Sequence, residues 1–322
     1  MRKSLDGLRW EHAWLSQMGC LKACLHYLGR ETTWPRLYGL SAQAFIINMH
    51  ETACPSGPTA WRSSEMLGAL LPNLGAEIEF VLGSKHTSDL AEAQARGWEM
   101  ARRYLDANLP VYGWNLARPE YYTISGHDFT GYFYTGPGCD EVAGPKLWRE
   151  LGDDEIGMFA MAGVKPCQPN SVRASLVDAL EIAQRFAAPD DPWSPPGYTR
   201  GLAAFDVWAT ALENGSADEF GHRYCAAVWS ECRHYAVQFL KELSEHLTGE
   251  PAEAAEEALA AYRKVANLLG AVSAEHVFLA RELVPEKQTL QDEESAQMLR
   301  QAGKTEATGM EGLQRLAELL AE

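Results

Sequence analysis

Positive charge is scarce in this chain, in which 28 lysine and arginine residues face 44 aspartate and glutamate residues. The formal net charge is therefore −16. Because binding to a phosphate backbone needs a positive footprint, we expect no nucleic-acid partner. The length of 322 residues is enough for two ordinary domains.

Long apolar runs are also missing. No run approaches the roughly 18 residues that a membrane-spanning helix needs, and the first residues, Met1 to Asp6, contain no apolar stretch of signal-peptide type. We therefore expect a cytoplasmic protein with no membrane partner. Hydrophobic residues still make up 46% of the chain, which indicates buried cores.

The sequence lacks the common motifs of nucleotide-binding proteins, zinc peptidases and serine hydrolases. The patterns GxxxxGK[ST], GxGxxG, HExxH and GxSxG are all missing, and none of the seven cysteines forms a CxxC pair. An odd number of cysteines without an export signal favours free thiols over a disulfide framework. We expect no cofactor and no metal site.

What the sequence does contain divides near residue 170. Most of the predicted strands lie in residues 1–169, whereas residues 170–322 are predicted to be almost entirely helical. Residues 170–322 also carry most of the net negative charge. The join lies at 164–170, where Pro166 and Pro169 are typical of a linker. We predict an α+β domain over 1–169 and a helical accessory domain over 170–322.

The first domain is predicted to have a mainly antiparallel sheet, and the second to be all-α. The predicted helices and strands of the first domain are helices 19–28, 63–71 and 88–107 and strands 45–49, 77–82, 110–114, 121–124, 131–134 and 156–160. Gly126-His127-Asp128 is predicted to be a hairpin turn. In the second domain we predict a long helix over 217–246 and a loosely docked helix in the last thirty residues.

Cys20 is the first candidate for chemistry, because the predicted helix places it in a first turn. Unsatisfied amides and the helix dipole stabilise a thiolate at that position. Gln17, just upstream, is placed to donate a hydrogen bond to an oxyanion. The alternative is that Cys20 and Cys24, four residues apart, lie on the buried face of an ordinary helix.

A cysteine nucleophile needs a base, and His127 is the best candidate because it lies at a strand–turn–strand junction beside Asp128. The alternative is an ordinary hairpin turn. His50 is a second candidate base. Asn48, His50, Tyr121 and Asp128 lie at strand ends and are candidate substrate-binding residues.

The order of elements resembles the papain-like cysteine enzymes. The features in common are a cysteine that opens a helix ending in Tyr27-Leu28-Gly29, and a later strand with a polar residue, Glu120, six positions before Gly126. The segment from Trp34 to Phe45 is similar to a glycine-rich segment that ends in Phe in one branch of this superfamily. That branch holds the N-terminal domain of butirosin biosynthesis protein H and is related to the bacteriocin double-glycine peptidases.

The resemblance covers roughly residues 10–165 and implies a papain-like fold with Cys20 as the nucleophile. The histidine of the family's strand is replaced here by Glu120, and His127 occupies the position of a tyrosine. Three alternatives follow: His127 acts as a shifted base, Glu120 is itself the base, or the site is inactive and kept for binding. The third member of a catalytic triad is left open.

The leading functional hypothesis is a thiol-dependent acyltransferase or amide hydrolase. Its substrate would be a small molecule or peptide, with a thioester as a possible acyl donor. The alternative is a catalytically inert binding or scaffold protein that keeps the papain-like fold.

Overall fold

A computed structural model describes residues 2–188, 193–275 and 289–322. The chain forms two compact units, and both are discontinuous in sequence. Unit 1 comprises Met1–Thr33 and Leu67–Asn170, and unit 2 comprises Trp34–Met66 and Ser171–Glu322. The fold is α+β, with an antiparallel sheet and a C-terminal helical region.

The elements are numbered in chain order. They are β1 (Lys3–Ser4), α1 (Ser16–Tyr27), α2 (Trp34–Leu40), β2 (Asn48–His50), α3 (Ser63–Leu70), β3 (Ala76–Ser84), α4 (Leu90–Asp106), β4 (Val111–Trp114), β5 (Tyr121–His127), β6 (Gly131–Thr135), β7 (Ala143–Leu147), β8 (Met158–Pro166), α5 (Val172–Ala187), β9 (Tyr198–Arg200), α6 (Ala203–Glu213), β10 (Ala217–Asp218), α7 (Glu219–His246), α8 (Glu250–Glu275), β11 (Thr289–Leu290) and α9 (Glu293–Ala321).

Unit 1 is built on a sheet in the order β3-β8-β4-β5-β6-β7, with the short β1 paired to β5. All of these pairings are antiparallel. Since side chains alternate between the two faces of a strand, the sheet carries two separate apolar faces. A different helix packs on each face.

Helix α4 covers one face and lies against β3 and β8. Its amphipathic pattern places Met100, Tyr104 and neighbouring apolar residues in the core of unit 1. The backbone of α4 approaches the sheet closely at Gly97, where an added Cβ would lie 2.3 Å from Cζ of Phe159. A side chain at this position would therefore push the helix away from the sheet.

Helix α1 lies on the opposite face, against β5. The Gln17 side chain reaches Tyr112 of β4, and Tyr112 pairs with Thr123 of β5. The face that carries Tyr112 and Thr123 is thus the one that receives the helix with Cys20.

Unit 2 is mainly helical, with α8 packed against both α7 and α9. Side-chain caps mark the beginnings of three helices. Ser171, Asp218 and Asp292 accept hydrogen bonds from backbone amides in the first turns of α5, α7 and α9, respectively. The terminal helix α9 buries Leu299, Leu313 and Leu316 among other residues, so the expectation of a loosely docked C-terminus is wrong.

Residues 34–66 belong to unit 2, although the sequence boundary placed them with the first domain. The ring of Phe45 packs against Phe239 and Tyr262. The carbonyls of Ala44 and Ile46 accept hydrogen bonds from the buried guanidinium of Arg233.

Several predicted elements differ from the structure. The predicted strand 156–160 covers only the start of β8, which continues to Pro166. The predicted strand 45–49 is strand only from Asn48, because the carbonyls before it are bound by Arg233 rather than by a neighbouring strand. The predicted turn Gly126-His127-Asp128 begins too early, since Gly126 and His127 still pair with β6 and the turn follows at 128–130. Among the described residues, no helix combines the length and apolarity needed to cross a membrane.

Candidate functional site

The start of α1 is joined to the start of β5 by Ser16 and Glu120. The Ser16 hydroxyl donates a hydrogen bond to the Glu120 carboxylate and accepts one from the backbone amide of Tyr121 at 2.9 Å. Trp10 donates from Nε1 to the Ser16 carbonyl at 3.1 Å. Ser16 is buried, whereas Glu120 is half-buried, so the carboxylate lies at the margin of the site.

Cys20 is not in the first turn of α1. The helix begins at Ser16 after an extended Leu15, so Cys20 is its fifth residue and its thiol lies one turn inside. The expectation of a first-turn cysteine is therefore wrong, because the helix begins at Ser16, three residues before Gly19. The unsatisfied amides of a helix end belong to its first residues and do not reach this thiol.

The environment of Cys20 favours the neutral thiol. Its side chain is fully buried. Burial raises the pKa of the Cys20 thiol well above its ordinary value, and the nearby Cys24 and Glu120 raise that pKa further. The Thr123 side chain lowers the pKa of Cys20, with an effect smaller than those of burial and Cys24 but larger than that of Glu120. The pKa of Cys24 is also raised by burial.

His127 lies at the opposite end of β5 from Glu120. Thr123, which neighbours Cys20, is four residues before His127, or roughly 13 Å along an extended strand. The His127 ring pairs instead with Asp106, with 3.0 Å between Nε2 and Oδ1, and packs edge-on against Trp98. The structure therefore does not bring His127 to Cys20.

Asp128 stabilises the β5–β6 turn. Its Oδ1 accepts hydrogen bonds from the Thr130 amide and hydroxyl and from the Gly131 amide. These bonds lower the pKa of the Asp128 carboxyl. This carboxylate lies at the same end of β5 as His127.

Gln17 and Tyr121 do lie beside Cys20. The Gln17 amide is buried and donates from Nε2 to the Tyr112 hydroxyl at 3.3 Å. The Tyr121 ring packs edge-on against Tyr112, and its pKa is raised by burial and by Cys20. Because the Gln17 amide donates its hydrogen bond to Tyr112, Gln17 could stabilise an oxyanion only from a different rotamer.

Asn48 and His50 belong to unit 2. Asn48 donates to the Gly57 carbonyl and accepts from the Ser194 hydroxyl, each at 2.7 Å. His50 Nδ1 lies 2.9 Å from the Thr52 hydroxyl, and its ring packs edge-on against Tyr198. Both side chains thus stabilise a local loop and the β2–β9 pair.

Ser16 and Trp114 are site residues that sequence reasoning missed. Trp114 ends β4, is half-buried and pairs with Tyr121, next to Glu120. Serine is preferred at the N-cap of a helix, but in α1 that position is Leu15, so this preference was no signal for Ser16. Its contact with Glu120, 104 residues away in sequence, has no local signal.

All seven cysteines are free thiols. Within residues 2–188, 193–275 and 289–322, no cluster of three or more histidine, cysteine, aspartate or glutamate residues is arranged to hold a metal ion.

Comparison with protein-family models finds no matching family, and comparison with curated proteins finds no matching relative.

Proposed function

We propose that this protein is a binding protein whose unit 1 keeps a papain-like arrangement without thiol catalysis. The observation that carries this proposal is the position of Cys20, whose thiol is fully buried and has a pKa raised by burial. Because the thiolate is the nucleophilic form of cysteine, a neutral buried thiol is unreactive near pH 7.

The papain-like part of the proposal is supported by topology. Helix α1, which contains Cys20, packs on an antiparallel sheet, and the strand it contacts begins directly after Glu120. These are the elements on which the resemblance in sequence rests.

The competing proposal is a thiol-dependent acyltransferase or hydrolase. That activity needs a group that removes the thiol proton. The ionisable neighbours that influence Cys20 are Cys24 and Glu120, and both raise its pKa. Two acids close together disfavour ionisation of both, so neither neighbour activates the thiol.

For the ligand we propose a small apolar amine. Glu120 supplies a half-buried carboxylate, and Trp114, half-buried on the adjacent strand, supplies an aromatic ring. An ammonium group is attracted both by a carboxylate and by the face of an indole ring. The net charge of −16 favours the approach of a cation.

The thiol part is tested by the alkylation rate of each cysteine with iodoacetamide between pH 5 and 9, read by peptide mass spectrometry. We expect Cys20 to react as slowly as Cys24, which is equally buried one turn later. The half-buried Cys54, Cys139 and Cys167 should react first. Fast alkylation of Cys20, with an apparent pKa below the ordinary value of about 8.5, would overturn the proposal.

The ligand part is tested by calorimetric titration with phenethylamine and, as the oppositely charged analogue, phenylpropionate. We expect binding of the amine alone, and its loss in Glu120→Gln, which keeps a hydrogen-bond acceptor for Ser16. The control is Glu99→Gln, an exposed glutamate on α4 of the same unit. Equal binding of both probes, or amine binding unchanged in Glu120→Gln, rejects this ligand class.

A further inference from the structure

Strand β3 is an edge of the unit 1 sheet, with β8 as its neighbour in the sheet order. The Cys167 amide donates to the Gly75 carbonyl, which fixes the alternation of hydrogen bonds along the β3–β8 pair. Odd-numbered residues of β3 thus point their backbone groups toward β8. The backbone N–H and C=O groups of Ile78, Phe80 and Leu82 point outward, and no described residue forms a hydrogen bond with them.

The side chains of these three residues form one apolar row. They share a face because they alternate along the strand, and they pair across β8 with Val164, Ala162 and Ala160 in that order. Leu82 is 49% exposed, and Ile78 and Phe80 are half-buried. Edge strands are usually protected by charges or proline, and this row has neither.

The charged residues of β3 lie on the opposite face and are already paired. Glu79 accepts two hydrogen bonds from Arg103 at 2.7 Å, and Glu77 lies 2.8 Å from the Lys165 ammonium. A strand added beside β3 therefore meets carboxylates with bound cations rather than unpaired charges of one sign.

We propose that two copies of this chain associate by antiparallel pairing of their β3 strands about a two-fold axis at Phe80. In this register Phe80 lies opposite Phe80 of the second copy, and Ile78 lies opposite Leu82 of the second copy. The outward backbone groups then form about six hydrogen bonds, two for each of three hydrogen-bonded pairs. The two apolar rows become one continuous patch on a single face of the joined sheet.

The sequence of β3 selects this register over its neighbours. Centring on Phe80 places Glu79 opposite Val81, and Glu77 opposite Gly83. Of these registers, only the one centred on Phe80 pairs the three residues of the apolar row with one another. An axis at Glu79 would place Leu82 opposite Ala76, and an axis at Val81 would place Ile78 opposite Ser84. The charge of −16 on each copy opposes association, so the dimer should tighten as salt screens the repulsion.

Sedimentation velocity over about 1–100 μM protein, at low and high sodium chloride, tests the association. We expect a monomer–dimer equilibrium that shifts toward the dimer in high salt. Leu82→Lys should raise the dissociation constant at least about tenfold, since it places a charge in the apolar row. The matched control is Leu147→Lys, a 42% exposed leucine on β7 at the opposite edge of the sheet, which should dimerise like the wild type.

Two variants, each with one added cysteine, test the register of the paired strands. Phe80→Cys should form a disulfide between the two copies on mild oxidation, because facing residues of a hydrogen-bonded pair have Cα atoms about 5.5 Å apart. Ile78→Cys should not, because the two equivalent positions lie roughly 13 Å apart along the strands. Peptide mass spectrometry separates these bonds from those of the native cysteines.

Three results would overturn the proposal. The first is a wild-type protein that stays monomeric at the highest concentration in high salt. The second is a dimer that Leu82→Lys leaves intact or that Leu147→Lys disrupts equally. The third is a disulfide formed as readily by Ile78→Cys as by Phe80→Cys.

Discussion

Two hydrogen-bonded pairs of side chains, one taken from each unit, differ sharply in burial. In unit 2 the Arg233 guanidinium and the Glu306 carboxylate are both buried and meet through two hydrogen bonds of 2.6 and 2.8 Å. In unit 1 the His127 ring is buried, but its partner Asp106 is 56% exposed. Sequence reasoning singled out His127 for chemistry and passed over Arg233. Burial, rather than residue type, should therefore decide how strongly the fold depends on such a pair.

The largest effect should come from breaking the buried pair in unit 2. Arg233→Met leaves the Glu306 carboxylate without its cation and removes the donor to the Ala44 and Ile46 carbonyls. We expect a loss of about 3–5 kcal/mol in the free energy of unfolding of unit 2. Native-state hydrogen exchange of peptides from α7 and α9 measures this free energy for unit 2 separately.

Two further variants check this prediction. Arg300→Met breaks partly exposed ion pairs with Asp206 and Glu213 in the same unit, and should cost only about 1 kcal/mol or less. Arg233→Met combined with Glu306→Leu removes both charges and should recover most of the loss. If Arg233→Met alone lowered the free energy of unfolding no more than Arg300→Met does, the buried pair would contribute no more than an exposed one.

Steric fit, rather than ion pairing, should limit the stability of unit 1. Gly97→Ala places a Cβ 2.3 Å from the Phe159 ring, and such overpacking costs about 1–3 kcal/mol, against a helix-propensity gain of about 1 kcal/mol. Gly68→Ala is the matched control, because its Cβ on α3 meets nothing within 4 Å. We expect Gly97→Ala to lower the urea midpoint of unit 1 and Gly68→Ala to raise it slightly. If both variants shifted the urea midpoint by the same amount in the same direction, the close approach at Gly97 would be contradicted.

The elements that sequence patterns predicted well are those with a strong local signal. The amphipathic segment 88–107 corresponds to α4, Leu90–Asp106, and the alternating segment 77–82 lies inside β3. The β-rich runs on either side of Gly126 correspond to β5 and β6. In each case, hydrophobic period and β-branched or aromatic content agree with the final packing.

The features that sequence reasoning missed depend on contacts between distant residues. Helix α1 has no side-chain cap at Leu15, so its start at Ser16 depends on bonds to β5 that no local pattern reveals. The packing of residues 34–66 in unit 2 likewise depends on Arg233, nearly 200 residues later in sequence. The placing of Cys20 failed for the same reason, since a shift of one helical turn takes a thiol from an exposed end into a core.

The smallest effect should come from the half-exposed pair in unit 1. Asp106→Asn keeps an oxygen that can accept a hydrogen bond from His127 but removes the charge, and solvent already screens that charge in the wild type. We expect a loss below about 1 kcal/mol in the free energy of unfolding, measured by hydrogen exchange of β5 peptides. Asp140→Asn, an exposed aspartate of the same unit, is the control. If Asp106→Asn lowered the free energy of unfolding as much as Arg233→Met does, the His127–Asp106 pair would be a principal support of the sheet. The two pairs would then differ because of their places in the topology, and not because of their burial.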